Sequence, residues 1–185
     1  YRGLEDYRAI HSFGQNCISI NSLTKVYAMG PIRFGWIISD KNTIAIARRI
    51  FMTFSGVMAS PTMRIGAKAL KRLDSVDKAI QHYRKENLPR LRLVLEKYGI
   101  TWNEPPAGVF GCFELPNGLD SETFADHHCK EYDLLVVPGS MFSEDLKSWV
   151  RVAWSIEPNQ FTQALNALDK SLNYALNTKQ VNKSN

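Results

Sequence analysis

The 185-residue chain lacks any long apolar run. A membrane-spanning helix needs roughly 18 consecutive apolar residues, and the longest candidates here are short pieces such as Gly35–Ile38 and residues 134–137. The chain also has no basic segment followed by an apolar one at its start, which would mark a secreted protein. The sequence therefore predicts no membrane partner and a cytoplasmic location.

Cysteine is scarce as well. Cys17, Cys112 and Cys129 are odd in number, widely spaced and without a Cys-x-x-Cys pair. This pattern argues against a disulfide framework and a zinc ribbon, and it fits a reducing compartment. The adjacent His127 and His128 suggest a metal site, but successive helical residues diverge by about 100° and cannot all face one ion. We therefore expect no metal.

An initiator methionine is also missing, because the chain begins at Tyr1. We expect that something was removed or that only part of a longer protein is present. The composition nevertheless suffices for a packed core, since 44% of the residues are hydrophobic and 11% are aromatic. This composition argues against a disordered chain.

The net charge of +5 has a local origin, because acidic residues are few in one stretch. Between residues 64 and 97 there are ten Lys or Arg residues and four Asp or Glu residues. Such a stretch is found on some nucleic-acid-binding surfaces. However, apolar residues recur there at helical spacing, and no stacking or helix-turn-helix motif is present. We therefore interpret the charges as the solvated face of an amphipathic helix and expect no nucleic-acid partner.

The first hundred residues alternate between strand and helix patterns. The period of apolar residues predicts strands over 17–23 and 33–39, the second of them buried on both faces. Helices are predicted over 43–54, over 61–73 and over 75–98. The last of these ends at the capping residue Gly99 and should be kinked or split by Pro89.

After Gly99 the segments become shorter and are joined by proline-rich connections. Predicted strands cover 100–103, 108–115, 134–137 and 150–156. Predicted helices cover 121–132 and 159–177, the second with an apolar stripe, and residues 178–185 read as a frayed polar tail. This order predicts an α/β protein with two lobes joined near residues 75–98.

One segment carries candidate chemistry: Ser22, Lys25 and Arg33 lie around the turn between the first two predicted strands. A hydroxyl beside a guanidinium forms a suitable phosphate cradle, because arginine binds phosphate oxygens through two parallel hydrogen bonds. A lysine next to that cradle can supply the amine that condenses with an aldehyde to form a Schiff base. On residue types alone, a solvated loop lysine and an edge-strand arginine explain the pattern better.

The spacing in this segment resembles the signature of class I/II pyridoxal-phosphate-dependent aminotransferases (fold type I, the aspartate aminotransferase family). In that family a serine stands three residues before the Schiff-base lysine, and an arginine for the cofactor phosphate stands eight residues after it. A glycine follows two residues later. Ser22, Lys25, Arg33 and Gly35 match all four positions. Ala28 departs mildly, since the family often has glycine there.

Two further elements resemble the same family. Tyr1 is similar to the tyrosine whose phenol hydrogen-bonds the ring oxygen of the cofactor. Residues 136–142 resemble a Pro-Gly-x-x-Phe segment that precedes the strand with the carboxylate-binding arginine, and Arg151 takes that place. The resemblance thus implies Lys25 as catalytic residue, Lys25, Ser22, Arg33 and Tyr1 as cofactor-binding residues, and Arg151 as the substrate-binding residue.

The resemblance implies the C-terminal part of the pyridoxal-phosphate-dependent transferase fold. Residues 1–74 would be a remnant of the large cofactor-binding lobe, 75–99 a long bridging helix, and 100–185 the small α/β lobe. The implied reaction moves an amino group between an amino acid and a 2-oxo acid, in a complete protein that forms a homodimer.

The aspartate that pairs with the cofactor's ring nitrogen would precede Tyr1, so we expect this chain alone to be impaired or inactive. Two alternatives stay open. One is another fold type I enzyme, a β-lyase or an aminocyclopropane-carboxylate-synthase relative, which would share Lys25, Arg33 and Arg151. The other is a noncatalytic domain.

Overall fold

A computed structural model describes residues 8–14, 16–25 and 27–181, with side chains up to residue 177. Tyr1, a predicted site residue, lies outside the described residues. The chain divides into two compact units, Tyr1–Ile80 and Gln81–Asn185, called here the first and the second unit. The predicted boundaries at residues 74 and 99 stay a prediction.

The first unit contains an antiparallel pair of strands, β1 (Ser19–Ser22) and β2 (Gly35–Ile38). A further hydrogen bond from Leu23 N to Phe34 O, 2.9 Å long, continues the pairing toward the turn. The predicted pair of strands is confirmed, but the prediction that the second is buried on both faces is wrong. Ile37 and Ile38 are 43% and 41% exposed, because within the described part of the chain β1 is the only strand paired with β2.

Two helices complete the first unit: α1 (Lys41–Phe54) and α2 (Ser60–Leu70). The Asp40 carboxylate caps α1 by accepting hydrogen bonds from the backbone N–H groups of Asn42 and Thr43, at 2.8 and 3.1 Å. The interaction with the Thr43 side chain, followed by these backbone hydrogen bonds, lowers the pKa of Asp40. The Phe34 ring lies on Gly66 of α2, where an added Cβ would be 2.2 Å from a ring carbon. The residue after the turn is therefore packed directly against a helix.

Helix α3 (Leu73–Lys97) contains residues of both units. It continues through Pro89, so the expected split does not occur. The neighbouring Leu88 and Leu91 are 2% and 1% exposed, and their burial holds the two sides of the proline in one helix. Gly99 ends the helix as predicted, with a φ of 66°.

The end of α3 is a Schellman motif. Gly99 N donates to Glu96 O at 3.0 Å, and Ile100 N donates to Leu95 O at 3.0 Å. Ile100 and Leu95 also belong to the buried core of the second unit. Because Ile100 serves as this cap, the strand predicted over 100–103 is wrong: no strand occurs there. The apolar pattern reflects side-chain packing, since the Trp102 ring contacts the Trp154 ring edge-on at 5.8 Å.

The second unit contains a three-stranded antiparallel sheet in the order β3, β5, β4. Its strands are β3 (Phe110–Glu114), β4 (Val137–Pro138) and β5 (Trp149–Ala153). The predictions over 108–115 and 150–156 are confirmed in shorter form. The prediction over 134–137 is correct only at its last residue, because Leu134 N donates to Cys129 O at 2.9 Å and closes the preceding helical turn.

The remaining helical segments cover this sheet. Residues 121–132 are helical as predicted, but in three parts: α4 (Ser121–Thr123), a π-helical turn (Phe124–Cys129) and a 3-10 turn (Lys130–Tyr132). Helix α5 (Pro158–Val181) extends through 178–181, which the sequence predicted as frayed. The predicted apolar stripe of α5 is confirmed, because four of its residues are buried and a fifth packs against the core: Phe161, Leu165, Leu168, Leu172 and Leu176.

The basic residues in the second half of α3 do more than face solvent. Arg84 and Arg92 both form ion pairs with Glu104, and Arg90 donates to Pro158 O at 3.2 Å. Lys97 contacts the Asp169 carboxylate of α5 at 2.6 Å. The interpretation as a solvated face is confirmed for the exposed Arg92 and Lys97 and is wrong for the half-buried Arg84 and Arg90. All four residues connect α3 to loops or to α5. Among the described residues, no helix is both long and apolar enough to cross a membrane.

Candidate active site

Lys25 lies on the turn that follows β1. The chain leaves the strand at Ser22, and the turn is closed by hydrogen bonds from Ala28 N to Lys25 O (3.3 Å) and from Met29 N to Leu23 O (2.9 Å). Leu23 is fully buried and anchors the turn, while Lys25 is exposed. Ala28 has a φ of 53°, in the left-handed region that favours glycine. This explains in structural terms why a family member can have glycine there.

The Arg33 side chain reaches back to the same turn. Its Nη1 donates to Gly30 O at 3.2 Å and to Thr24 Oγ1 at 3.5 Å, and the side chain is exposed. Ser22 Oγ in turn accepts a hydrogen bond from Thr24 N at 3.3 Å. Thr24 thus connects Ser22 with Arg33, immediately beside Lys25. Sequence reasoning did not assign Thr24 a role, although its hydroxyl between two matched positions was a usable signal.

The two strands approach closely where the site begins, and Gly35 permits this approach. Ser22 pairs directly with Gly35 across the sheet. A Cβ added to Gly35 would be 2.9 Å from the backbone oxygen of Asn21, which is closer than real Cβ contacts. The glycine of the matched signature is therefore required by the backbone geometry around Ser22.

The donor set of this turn fits a phosphate-bearing cofactor. Ser22 and Thr24 provide hydroxyl groups, and Arg33 provides a guanidinium within hydrogen-bond distance of Thr24. Two hydroxyls and a planar cation are suitable ligands for phosphate oxygens. Lys25 follows Thr24 directly, so its amine is on the same turn as these donors.

Arg151 lies in the second unit, on the central strand β5. It pairs with Cys112 of β3 on one side and with Val137 of β4 on the other. Its guanidinium carbon lies 4.9 Å from the centroid of the Phe110 ring and 5.1 Å from that of the Phe142 ring. Both distances are within the range of cation–π contacts. Arg151 is half-buried, as expected from its apolar neighbours in the sequence.

The Pro-Gly-x-x-Phe segment brings Phe142 to Arg151. Pro138 pairs with Val150 of β5, and a 3-10 turn (Gly139–Met141) follows. An added Cβ on Gly139 would be 2.3 Å from Leu146 O and 2.7 Å from Trp149 O, so only glycine fits. This close approach seats the turn on the sheet beside β5. Phe142 N then donates to Gly139 O at 2.8 Å and closes the turn.

The thiol opposite Arg151 has a shifted acidity. Partial burial raises the pKa of Cys112, and the positive charge of Arg151 offsets part of this rise. The residue itself is exposed on the same sheet. The charge of Arg151 therefore influences the acidity of the Cys112 thiol.

The pair His127 and His128 lies in the π-helical turn. The His128 ring contacts the rings of Phe124 and Tyr174 at 6.1 and 5.3 Å, and burial lowers the pKa of His128. Burial raises the pKa of the adjacent Cys129 thiol to about 12. Within the described residues, no group of three or more His, Cys, Asp or Glu side chains is placed to hold a metal ion.

The α/β fold, with a lysine, two hydroxyl groups and an arginine on one turn and a ring-flanked arginine on a separate small sheet, agrees with the expected class, the pyridoxal-phosphate-dependent transferases of fold type I. The chain belongs to the aminotransferase class I and II family, whose model matches residues 3–168. The predicted family and α/β fold class are thereby confirmed.

Individual relatives support the same family. The chain is 27% identical over 180 residues to an aspartate aminotransferase of Pyrococcus horikoshii. The aligned region covers 93% of this chain and 45% of that protein. It is 31% identical over 157 residues to a 1-aminocyclopropane-1-carboxylate synthase of Cucurbita pepo, covering 80% of this chain and 32% of that protein. It thus spans less than half the length of these curated relatives.

A solved structure shows the same fold. A pyridoxal-phosphate-dependent aminotransferase of Streptococcus suis superposes with a TM-score of 0.76 at 22% identity, over 85% of this chain and 42% of that one. Pyridoxal 5′-phosphate is the cofactor of the family, as predicted. The residues of the turn around Lys25 fit it.

Proposed function

We propose that this chain forms part of an aminotransferase that moves an amino group between an amino acid and a 2-oxo acid. The observation that carries the proposal is the turn after β1, where Ser22, Thr24 and Arg33 are joined by hydrogen bonds next to Lys25. Membership of the aminotransferase class I and II family supports it. Since the chain spans 45% of the aspartate aminotransferase relative, the activity is proposed for the complete protein.

The residues of the first unit would hold the cofactor. Arg33, Ser22 and Thr24 bind phosphate oxygens through their N–H and O–H groups. Bound pyridoxal phosphate supplies a conjugated ring that takes up the electron pair released at the substrate's α-carbon. The Lys25 amine provides the covalent attachment point and, once released, accepts the α-proton as a general base.

In the second unit, Arg151 binds the α-carboxylate of the amino acid. A guanidinium fork binds a carboxylate through two parallel hydrogen bonds, which fixes the orientation of the substrate. Phe110 and Phe142 lie beside it, with their ring centroids 4.9 and 5.1 Å from the guanidinium carbon.

A second candidate function has its own support. The 31% identity to a 1-aminocyclopropane-1-carboxylate synthase favours a related reaction on the same turn and the same arginine. Product analysis separates the two: transamination yields a 2-oxo acid, whereas a synthase of that kind yields a cyclic amino acid. A β-lyase or a noncatalytic domain is a further alternative, and the absence of any cofactor absorbance band would favour the noncatalytic domain.

The attachment site can be tested directly. Borohydride reduction of the complete protein with pyridoxal phosphate, followed by peptide mapping, should place the label on Lys25. Lys25→Arg should abolish the absorbance band of the Schiff base, which lies at about 400 nm. The matched control Lys41→Arg, at the exposed start of α1, should leave it unchanged. A label on another lysine would overturn the proposal.

The 185-residue chain by itself should show little or no turnover. The relatives are about twice as long, and we propose that the ring-nitrogen partner and the rest of the large lobe come from residues outside this chain. Turnover assays of the chain with pyridoxal phosphate and an amino acid test this, and normal rates would contradict it.

We further propose that the complete protein is a cytoplasmic homodimer. Apolar side chains of α1 that are exposed in the described part of the chain support the dimer: Ile46, Ile50, Phe51 and Phe54. Sedimentation of the complete protein tests the dimer, and the mass of a monomer would contradict it.

A further inference from the structure

We propose that Phe110 and Phe142 are positioning residues for Arg151, holding its guanidinium by ring contacts so that its N–H donors stay available for a carboxylate. The proposal rests on the carboxylate-binding role proposed above for Arg151. It adds the means by which that arginine is kept oriented and unpaired before substrate arrives.

Strand geometry places Phe110 beside Arg151. Residues directly opposite in an antiparallel pair have side chains on the same face, so Arg151 shares a face with Cys112. Phe110 stands two residues before Cys112 and therefore lies on that face too. The alternating burial of β3 agrees, because Gly111 and Phe113 are buried on the opposite face. Phe110 is thus the diagonal neighbour of Arg151 across the sheet.

Phe142 comes from a different element, the turn seated by Gly139. Its side chain is 56% exposed, which is an unfavourable location for a phenyl ring. The contact with Arg151 at 5.1 Å gives this ring a favourable interaction at the surface. The turn itself packs closely against the chain beside β5, since an added Cβ on Gly139 would be 2.3 Å from Leu146 O.

The other arginines of the second unit donate to groups of the protein itself. Arg84 and Arg92 donate to Glu104, and Arg90 donates to Pro158 O. Arg84 also lies 5.8 Å from the centroid of the Trp154 ring, but its charge is paired with that of Glu104. For Arg151 the contacts with described residues are the two rings, and no carboxylate of the described chain lies within ion-pair distance of it. A ring contact restrains a guanidinium without neutralising it or occupying its donors in the plane.

This difference has a functional consequence. An arginine fixed by a carboxylate must exchange that partner for the substrate, which cancels most of the gain in binding. An arginine fixed by rings loses little rotational freedom on binding and keeps its charge, because its orientation is set beforehand. The arrangement therefore favours a carboxylate ligand at Arg151 and lowers the concentration needed to saturate it.

The experiment compares Phe142→Leu with Phe142→Tyr in the complete protein. The leucine keeps apolar volume but removes the ring, whereas the tyrosine keeps the ring. Met141→Leu, at the 72% exposed neighbouring position, is the matched control. Protein labelled with ¹⁵N-arginine is titrated with propionate, and the Nε–H signal of Arg151 is identified by its loss in Arg151→Lys.

We expect Phe142→Leu to weaken propionate binding about three- to tenfold, as the loss of one cation–π contact implies. It should raise KM for the amino acid by a similar factor and change kcat less than about twofold. Phe142→Tyr and Met141→Leu should stay within about twofold of the parent protein. Phe110→Leu should act in the same direction as Phe142→Leu.

The inference is overturned if Phe142→Leu binds propionate like the parent protein, or if it lowers kcat with KM unchanged. The proposed function fails in a different way. If the Arg151 signal of the parent protein does not respond to propionate, and Arg151→Lys leaves KM unchanged, then Arg151 is not the carboxylate-binding residue. That result removes both the role of Arg151 and the positioning role of the rings.

Discussion

Single residues in the turn after β1 determine how close the site's donors can come to one another. Ala28 and Arg33 both have φ values near 50°, at 53° and 52°, although neither is glycine. Each such residue costs about 1 to 2 kcal/mol relative to ordinary helical geometry. The backbone keeps these conformations because Leu23 and Phe34, on either side of the turn, are buried.

Gly35→Ala tests whether the close strand approach matters. The new Cβ would lie 2.9 Å from Asn21 O, so the strands must separate, and we expect a loss of about 1 to 3 kcal/mol in the free energy of unfolding. Urea denaturation measures this, with the affinity for pyridoxal phosphate as a second readout. Gly14→Ala is the control, since nothing lies within 4 Å of its added Cβ. Equal stability of the two variants would contradict the argument.

Among the elements, α3 has the most buried polar contact of the second unit. The Asn87 amide is fully buried and donates to Trp154 O at 2.7 Å and to Ile156 O at 2.9 Å. Both carbonyls belong to the chain that follows β5. The Asn87 side chain therefore holds the segment that directly follows β5, the strand that carries Arg151.

Asn87→Ala should destabilise the second unit by about 2 to 4 kcal/mol. The reason is that the buried Trp154 carbonyl and the partly buried Ile156 carbonyl lose their donor, at about 1 to 3 kcal/mol for a buried unsatisfied group. Asn166→Ala, at an exposed position of α5, should change the free energy of unfolding by less than about 0.5 kcal/mol. Urea denaturation distinguishes these outcomes, and similar values for both variants would refute the role of Asn87.

The contact between α3 and α5 should depend on pH. Burial opposes charge on Asp169, but hydrogen bonds from Lys97 and Tyr98 outweigh it and lower the pKa of Asp169 below its ordinary value of 3.8. A lowered pKa means that the stabilisation is present above about pH 4 and is lost as the pH falls through the folded-state value.

Asp169→Asn should therefore destabilise the protein at pH 7 and have a smaller effect near pH 3. The size should not exceed about 1 kcal/mol, because Lys97 and Asp169 are 57% and 35% exposed and solvent screens the pair. Stability curves of both proteins against pH check this. Asp126→Asn, exposed on the π-helical turn, serves as the control, and an unchanged difference at pH 3 would argue against the ion pair.

The long helices were predictable from the sequence, because a 3.6-residue apolar period over many residues has few alternative explanations. The period of α5 gave four of its buried residues correctly. Short segments were not predictable in the same way. The alternation at 100–103 arises from a helix cap and a ring contact, and the ring contact depends on Trp154, which is distant in the chain. The same holds for the ion pairs of Arg84 and Lys97.

The grouping of Ser22, Lys25 and Arg33 around one turn was predictable, because its signal is spacing along the chain, whereas their roles stay a prediction. Contacts made in three dimensions could not be predicted. The hydrogen bond between Thr24 and Arg33 is made by a residue in the left-handed region, with a φ of 52°. The rings of Phe110 and Phe142 come together at Arg151 from separate elements.

At the scale of the whole molecule, charge is unevenly distributed. Residues 1–80 include twelve Lys or Arg and five Asp or Glu, whereas residues 81–185 include eleven and thirteen. The part of the chain with the proposed phosphate site is therefore strongly positive. Such a field attracts anions, and salt screens it over about 10 Å at 0.1 M.

Binding of pyridoxal phosphate to the complete protein should weaken severalfold between about 50 and 500 mM NaCl, because screening reduces the attraction of this positive unit for phosphate. Absorbance titrations measure the dissociation constants. Pyridoxal without its phosphate is the matched ligand and should show little salt dependence. Equal salt dependence for both ligands would argue against a phosphate-binding role of the first unit.

Because two of the thiols differ in exposure, the alkylation rate of Cys112 can report whether a carboxylate is bound at Arg151. Cys129 is fully buried, its thiol has a pKa of about 12, and it should not react with alkylating reagents. Cys112 is exposed, and it pairs with Arg151 on the adjacent strand. A reagent that reacts slowly with thiols would therefore modify Cys112 and leave Cys129 intact. A carboxylate seated on the guanidinium would offset the charge that favours the Cys112 thiolate, and the rate of modification would fall in proportion to saturation.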